Sequence, residues 1–418
     1  MEILIINLPR YDGISVTREG RCEMLMNYRV DTPSTLLTLA AILRKKNHQI
    51  DFIDSNGLDL SYDEINNLIK SKKYNCAIFT IASLILDHDL KFCDIIKKIS
   101  PTCITIGYSW WAKKYSREIL AEYPNLDVLI RNEPYSIVES LINSLSQNGD
   151  FSNINGICFR NKNNEIITNP KVKSQKNLDE LPIPAYDLLT TFKPYYIYTP
   201  LLSPYALIYA GKGCPFSCKY CNVAKTKYSG RSAEKIIQEL KLLKKVGKIK
   251  YIWFFDEIFT INRNRVMKIC NLMIKEKLRI KWLCDSRVDL VDLKLLKQMK
   301  KAGCIGISYG VESGSQKILN YMNKGITIEQ AKHALYWTKK VGIPVQVNLI
   351  LGYMGENRTT LEENSRFIKE TIPNLLQISK MLPLADTEFY EMALERGWIN
   401  EETDWKQSLT SAKTQMKD

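Results

Sequence analysis

The chain has 418 residues, 45% hydrophobic and 25% charged, values of a folded globular protein that exclude a disordered one, and its length predicts two or three domains. Its 59 Lys and Arg exceed its 45 Asp and Glu to give a net charge of +14. The excess lies largely in helix patterns such as 239–245 and 294–301, where it reads as a solvated face and argues against a specific nucleic-acid partner.

From residue 1 to about 145, short apolar runs alternate with helical patterns. The expected strands are Ile3–Leu8, Gln49–Asp54, Asn75–Ile81, Cys103–Gly107 and Val128–Arg131, and the expected helices between them include Ser34–Lys46, Ser61–Lys72 and His88–Ile99. That succession predicts a parallel sheet covered on both faces, a doubly wound Rossmann-like domain over 1–150. Ligands of such sheets sit at the carboxyl ends of the strands. Asn161–Asn164 reads as a hairpin tip, and the proline-rich Leu181–Asp187 suggests that 151–200 is a linker.

The alternation resumes with strands at Tyr205–Tyr209, Tyr251–Phe255, Lys281–Ser286, Ile305–Gly310, Val345–Leu351 and Leu375–Met381. Six such units over 201–385 predict a partial (β/α)6 barrel, short of the eight of a closed one. Residues 386–418 are expected to form a short helical tail. The fold class is therefore α/β, with the two sheets in tandem.

Eleven cysteines, an odd number without a disulfide-like framework, point to a reducing compartment. The start, Met1–Asn7, reads as a strand rather than a signal peptide, and no apolar run approaches the roughly 20 residues of a membrane span. A cytoplasmic protein without membrane contact is expected.

Three of the cysteines form the strongest signal. Gly211–Cys221, GKGCPFSCKYC, follows the first barrel strand and spaces Cys214, Cys218 and Cys221 at i, i+4 and i+7 in a Gly- and Pro-broken loop. Three thiolates so spaced can wrap one cubane and leave one iron open to a small ligand. A zinc site is the competing reading, but structural zinc prefers four protein ligands, commonly paired CxxC elements, and no second pair or nearby histidine exists.

At these residues the sequence resembles the radical S-adenosylmethionine (SAM) superfamily, with its CxxxCxxC loop and an aromatic, here Tyr220, before the last cysteine. The resemblance continues at Phe254–Glu257, Asp285–Asp289 and Gly306–Ser315, which close the next three strands. It implies a [4Fe-4S] cluster on the three cysteines, with SAM on the open iron, Tyr220 beside its adenine, and Arg287, Glu312 and Glu257 on its polar groups. An electron donor such as ferredoxin or flavodoxin is implied as well.

A five-stranded parallel domain ahead of such a barrel resembles the cobalamin-binding branch of the superfamily. Gly314–Leu319 with Met322–Gly325, Leu382-Pro383 and Thr387–Tyr390 match it further. Gly107-Tyr108 stands where that branch has Gly-Gly, and Arg131-Asn132-Glu133 where it has Arg-Gly-Glu. The implied cobalamin contacts are Ser83, Gly107, Tyr108, Arg131, Asn132 and Glu133. Tyr108, Trp110 and Trp111 fit either a corrin wall or a domain-interface patch. The Asp-x-His-x-x-Gly motif for a lower cobalt ligand is absent, and His88 reads as a helix-start residue.

The function implied is that of a cobalamin-dependent radical SAM methyltransferase acting on an unactivated carbon. The alternative is a cyclase, oxidoreductase or rearrangement enzyme of the same family acting on a small molecule or tetrapyrrole. The short tail suggests a substrate that brings its own bulk, a peptide or protein, as in the family member that methylates a glutamine of methyl-coenzyme M reductase.

Overall fold

The computed structural model describes residues 1–399 except 21, 111–113, 132, 148, 173–176 and 198–201. The chain divides into two compact units at Pro204/Tyr205.

In chain order the first unit contains β1 (Glu2–Asn7), β2 (Ser15–Glu19), β3 (Cys22–Met26), β4 (Arg29–Val30), α1 (Ser34–Arg44), β5 (Gln49–Asp54), α2 (Ser55–Leu58) and α3 (Tyr62–Ile69). It continues with β6 (Cys76–Thr80), α4 (Leu86–Ile99), β7 (Ile104–Tyr108), α5 (Ser116–Glu122), β8 (Val128–Ile130), α6 (Pro134–Gln147), β9 (Ile157–Arg160), β10 (Ile166–Thr168) and β11 (Tyr196–Ile197). The main sheet runs β10-β9-β8-β7-β6-β1-β5. Its five parallel strands therefore follow the flavodoxin-like order, in which the chain reverses direction between β1 and β6.

Alternation along each strand explains why both faces are covered. Ile3 and Ile5 of β1 join one core with Leu36, Leu39 and Leu43 of α1 and Val138 and Leu141 of α6. Leu4 and Ile6 point the other way, into a core with Ile65 and Ile69 of α3, Leu90 and Ile96 of α4 and Ile119 of α5.

Two expectations need correction. The stretch read as a linker supplies β9 and β10, an antiparallel hairpin whose turn covers 161–164 and which extends the sheet from β8 to seven strands. In addition, the connection between β1 and α1 carries the hairpin β2–β3, a separate two-stranded sheet that the sequence pattern did not predict.

The second unit contains β12 (Tyr205–Ile208), β13 (Gly211–Lys212), β14 (Ser229–Gly230), α7 (Ala233–Gly247), β15 (Tyr251–Phe254), α8 (Arg263–Lys275), β16 (Lys281–Ser286), α9 (Leu293–Lys301) and β17 (Cys304–Glu312). After these come α10 (Gln316–Tyr321), α11 (Ile328–Lys340), β18 (Val345–Leu351), α12 (Arg358–Thr371), β19 (Leu375–Lys380) and α13 (Glu388–Glu395). Six parallel strands, β12-β15-β16-β17-β18-β19, succeed one another in chain order, as in a barrel that stops at six. The helices start where side-chain caps stop the strands' continuation: Ser232 caps α7, Asp292 caps α9, and Thr327 and Asn357 form capping boxes on α11 and α12.

Candidate active site

The cysteine loop sits between β13 and β14, at the carboxyl end of β12. Its shape follows from local bonds. Gly213 has φ +91, and a Cβ there would lie 2.2 Å from the Lys227 carbonyl oxygen, so glycine is required where the loop crosses itself. The Cys214 N–H donates to Thr226 Oγ1 and the Thr226 N–H to the Cys214 carbonyl, both at 2.9 Å, while the Lys225 N–H donates to the Phe216 carbonyl at 2.8 Å. These bonds close the loop on itself. Outside it, the Lys219 N–H donates to the Met322 carbonyl and the Asn323 amide donates to Ser217.

Cys214 and Cys218 are buried, and Cys221 is half-buried. None of the ten described cysteine side chains is in a disulfide. Among the described residues no three His, Cys, Asp or Glu side chains converge on a single metal ion. A four-iron cluster requires a different arrangement, one thiolate at each of three separate iron corners.

The other strand-end residues gather beside this loop. The Arg287 guanidinium stacks on the Phe216 ring, 3.7 Å from its centroid, and its Nη1 lies 4.0 Å from Cys218 Sγ. It is held there by two bonds to the Asp289 carboxylate and one to the Lys324 carbonyl at 2.9 Å. Glu312 follows a register shift in β17 between Gly310 and Glu312 and has φ +75, so an extra residue in the strand redirects its carboxylate. That carboxylate pairs with Lys324 Nζ at 2.8 Å, and Nζ also lies 3.3 Å from the Tyr220 hydroxyl. Glu257 accepts the Gly213 N–H at 3.0 Å. Its carboxylate is thereby engaged in fixing the cysteine loop.

Cys218, Tyr220, Arg287 and Glu312 are thus brought together, and Lys324 joins three of them. Lys324 lies in the Met322–Gly325 match, and no role for it follows from the sequence. Its signal was local: Asn323 at φ +52 and Gly325 at φ +69 flank it, a geometry that turns the lysine inward from the end of α10.

Burial pushes the Cys218 thiol up, and the charges of Lys324 and Arg287 oppose that rise. Burial also raises the Tyr220 phenol well above its ordinary range, reinforced by Glu312. Three thiols in one loop with two fixed cations beside the middle one fit an anionic cluster. Asp256, which accepts the Ala210 N–H at 2.7 Å and pairs with Arg265 at 3.3 Å, is raised by burial to about 6 despite that cation.

In the first unit, Ser83 follows β6 and Gly107 and Tyr108 end β7. The Gly107 Cβ position is filled by Ile81, with Cδ1 at 2.4 Å. Tyr108 is 3% exposed and packs in the core layer of α1 and α6, which removes it from a corrin wall. Arg131 Nη1 donates to the Asn169 carbonyl at 3.2 Å, and its N–H to the Gly156 carbonyl. Asn132 and Trp111 lie outside the described residues. His88 stands in the first turn of α4, its ring against Tyr11 and Tyr62, and burial lowers its pKa.

Comparison with known proteins agrees with this geometry. Residues 208–368 match the Radical SAM superfamily. An uncharacterized methyltransferase of Pyrococcus horikoshii is 29% identical over 365 residues, covering 87% of this chain and 78% of the relative. An anaerobic magnesium-protoporphyrin IX monomethyl ester cyclase of Rubrivivax gelatinosus is 27% identical over 402 residues, covering 94% of this chain and 70% of the relative. The radical SAM methyltransferase TsrM of Kitasatospora setae, solved with cobalamin and a [4Fe-4S] cluster bound, shares the fold with a TM-score of 0.76 at 12% identity, covering 96% of this chain and 76% of that one. The match over 208–368 and the relatives that cover most of this chain support an enzyme with a radical SAM domain, in which a doubly wound unit precedes the six-stranded one.

Proposed function

We propose that the protein is a cobalamin-dependent radical SAM methyltransferase that places a methyl group on an unactivated carbon. The observation that carries this reading is the convergence of Arg287, Lys324, Glu312 and Tyr220 beside Cys218, at the carboxyl ends of parallel strands. Cys214, Cys218 and Cys221 would hold the [4Fe-4S] cluster, and strand ends of the first unit near Ser83 and Gly107 would hold cobalamin. When bound, the cluster supplies the electron for reductive cleavage of SAM, and cobalamin supplies a carrier for the methyl group.

The chain's own residues then have separable tasks. Arg287, fixed by Asp289 and the Phe216 ring, keeps a positive charge beside the thiolates. Lys324 and Glu312 form a pair of opposite charges matched to the carboxylate and ammonium of an amino acid, the polar end of SAM. Tyr220, with its proton retained far above neutral pH, presents a neutral aromatic face rather than a base.

A polar substrate, such as a peptide or protein side chain, is part of the reading. One face of the second sheet carries Ser308, Gln346, Asn348 and Gln377, joined by side-chain hydrogen bonds of 2.8–3.0 Å. The likeness to the Rubrivivax cyclase favours a second reading, ring closure or another rearrangement by the same radical chemistry. Anaerobic protein with a reconstituted cluster, given SAM, cobalamin and dithionite, is expected to release 5′-deoxyadenosine and to yield a product heavier by one methylene. A product with any other mass change would favour the second reading. Protein that released no deoxyadenosine would contradict both. Cys218→Ala is expected to lose the cluster's iron and all deoxyadenosine release.

A further inference from the structure

The first unit holds a polar site that the cysteine loop does not use. In a sheet of this order the crevice for a ligand opens beyond the carboxyl ends of β1 and β6. Here the chain leaving β1 runs into the hairpin β2–β3 before α1 begins. Its strand β2 is firmly fixed. Arg18 pairs with Asp89 at 2.6 Å, both side chains almost wholly buried, and also donates to the Leu8 and Pro9 carbonyls. Thr17 donates to Asp31, and Glu19 accepts the N–H and hydroxyl of Thr35 at the start of α1.

Strand β3 is held differently. The Glu23 carboxylate accepts the Ser83 N–H at 2.6 Å, the Ser83 hydroxyl, and the Ser109 hydroxyl at 2.8 Å. Ser83 and Ser109 follow the adjacent parallel strands β6 and β7. One N–H and two hydroxyls at neighbouring strand ends thus converge on a single acceptor, and that acceptor comes from the chain itself. It is a poor occupant. Glu23 is half-buried, and among the described residues no cation pairs with it. Burial, with Asp89 adding to it, raises the carboxyl to about 7 against the pull of the serines.

We propose that Ser83 and Ser109 form a cradle for an acceptor oxygen on the periphery of cobalamin, and that Glu23 fills this cradle while the cofactor is absent. The inference rests on the cobalamin reading above. Binding requires Glu23 to leave, so the apparent affinity is reduced by the fraction of protein in which the cradle is free. The acceptor oxygen belongs either to the amides of the corrin ring or to the phosphate of the nucleotide tail. Cobinamide, which keeps the amides and lacks that phosphate, separates the two.

The test is the absorbance-monitored binding of hydroxocobalamin and of cobinamide to the full chain with its cluster reconstituted. Glu23→Ala is expected to bind hydroxocobalamin about tenfold more tightly than the parent. Glu23→Gln, which keeps an acceptor carbonyl in place and does not titrate, should bind no more tightly than the parent. The double variant Ser83→Ala/Ser109→Ala should bind about tenfold more weakly, and adding Glu23→Ala to it should change nothing further. If cobinamide shows the same ordering, the amides are the partner; if its binding is indifferent to Glu23 and the serines, the phosphate is. Should Glu23→Ala bind no better than the parent, or keep its advantage without the serines, the inference is overturned. Circular dichroism and denaturant midpoints guard against misreading a misfolded variant. If none of the proteins takes up either corrinoid, the cobalamin reading itself fails, and the inference with it.

Discussion

The strand ends of the two units treat buried charge in opposite ways. In the second unit each buried acid beside the cysteine loop has a cation: Glu312 has Lys324, Asp256 has Arg265, and Glu239 further along α7 has Arg231. In the first, Arg18 and Asp89 follow that rule, but among the described residues Glu23 meets only hydroxyls and one N–H. A pair of opposite charges holds its geometry whether or not a ligand is present. A lone acid on serines is held loosely enough to be exchanged. The contrast separates a fixed site from one whose contents can change.

The largest expected effect would break the fixed side. The side chains of Lys324 and Glu312 are only 7% and 12% exposed, so Lys324→Met leaves Glu312 buried without its cation, with only the neutral Tyr220 hydroxyl beside it. It should destabilise the second unit by about 3–5 kcal/mol, read as a lowered denaturant midpoint by tryptophan fluorescence. Adding Glu312→Gln should restore much of the loss. Next comes Gly213→Ala, whose new methyl must push against the Lys227 carbonyl from a left-handed backbone. A cost of about 3 kcal/mol is expected, together with reduced iron and sulfide per chain after reconstitution.

A smaller effect sharpens the other side. Because the Glu23 carboxyl is raised to about 7 from 4.5, the folded unit keeps a proton that the unfolded chain has already given up. Its contribution is full below pH 4.5 and is lost as pH rises through 7. Glu23→Gln does not titrate, so it should gain stability over the parent between pH 5 and pH 8, reaching about 2–3 kcal/mol at the upper end by denaturant titration. The smallest effect is a control. Arg44 and Asp187 form an ion pair with side chains 43% and 59% exposed, and Arg44→Ala should change stability by no more than about 0.5 kcal/mol.

The same contrast explains what the sequence disclosed. The cysteine loop and the residues ending β15, β16 and β17 were legible because charged and sulfur-bearing residues there occur at fixed distances from recognisable strands. Lys324 was not, since a lysine at the end of a short helix looks like any solvated charge until the left-handed residues on either side are known to turn it inward. The hairpin β2–β3 escaped for a related reason. Ser-Val-Thr-Arg-Glu reads as a half-exposed strand, yet all five residues are buried, because Arg18 and Glu19 find partners on elements far along the chain. Strands β9 and β10 have four and three residues and pair at the sheet's edge, too short for alternation to declare itself. Tyr108 ends its strand one residue beyond the expected end at Gly107, and the pleat sends its side chain into the core.

The irregularity in β17 bears on how this enzyme can diverge. Val311 is the surplus residue that the neighbouring strand does not match, and Glu312 owes its orientation to it. Removing one amino acid there would restore even pleating and carry the carboxyl group round to the opposite side, while the rest of the strand kept its pairing. This stretch cannot vary by a single codon without turning Glu312 away from Lys324.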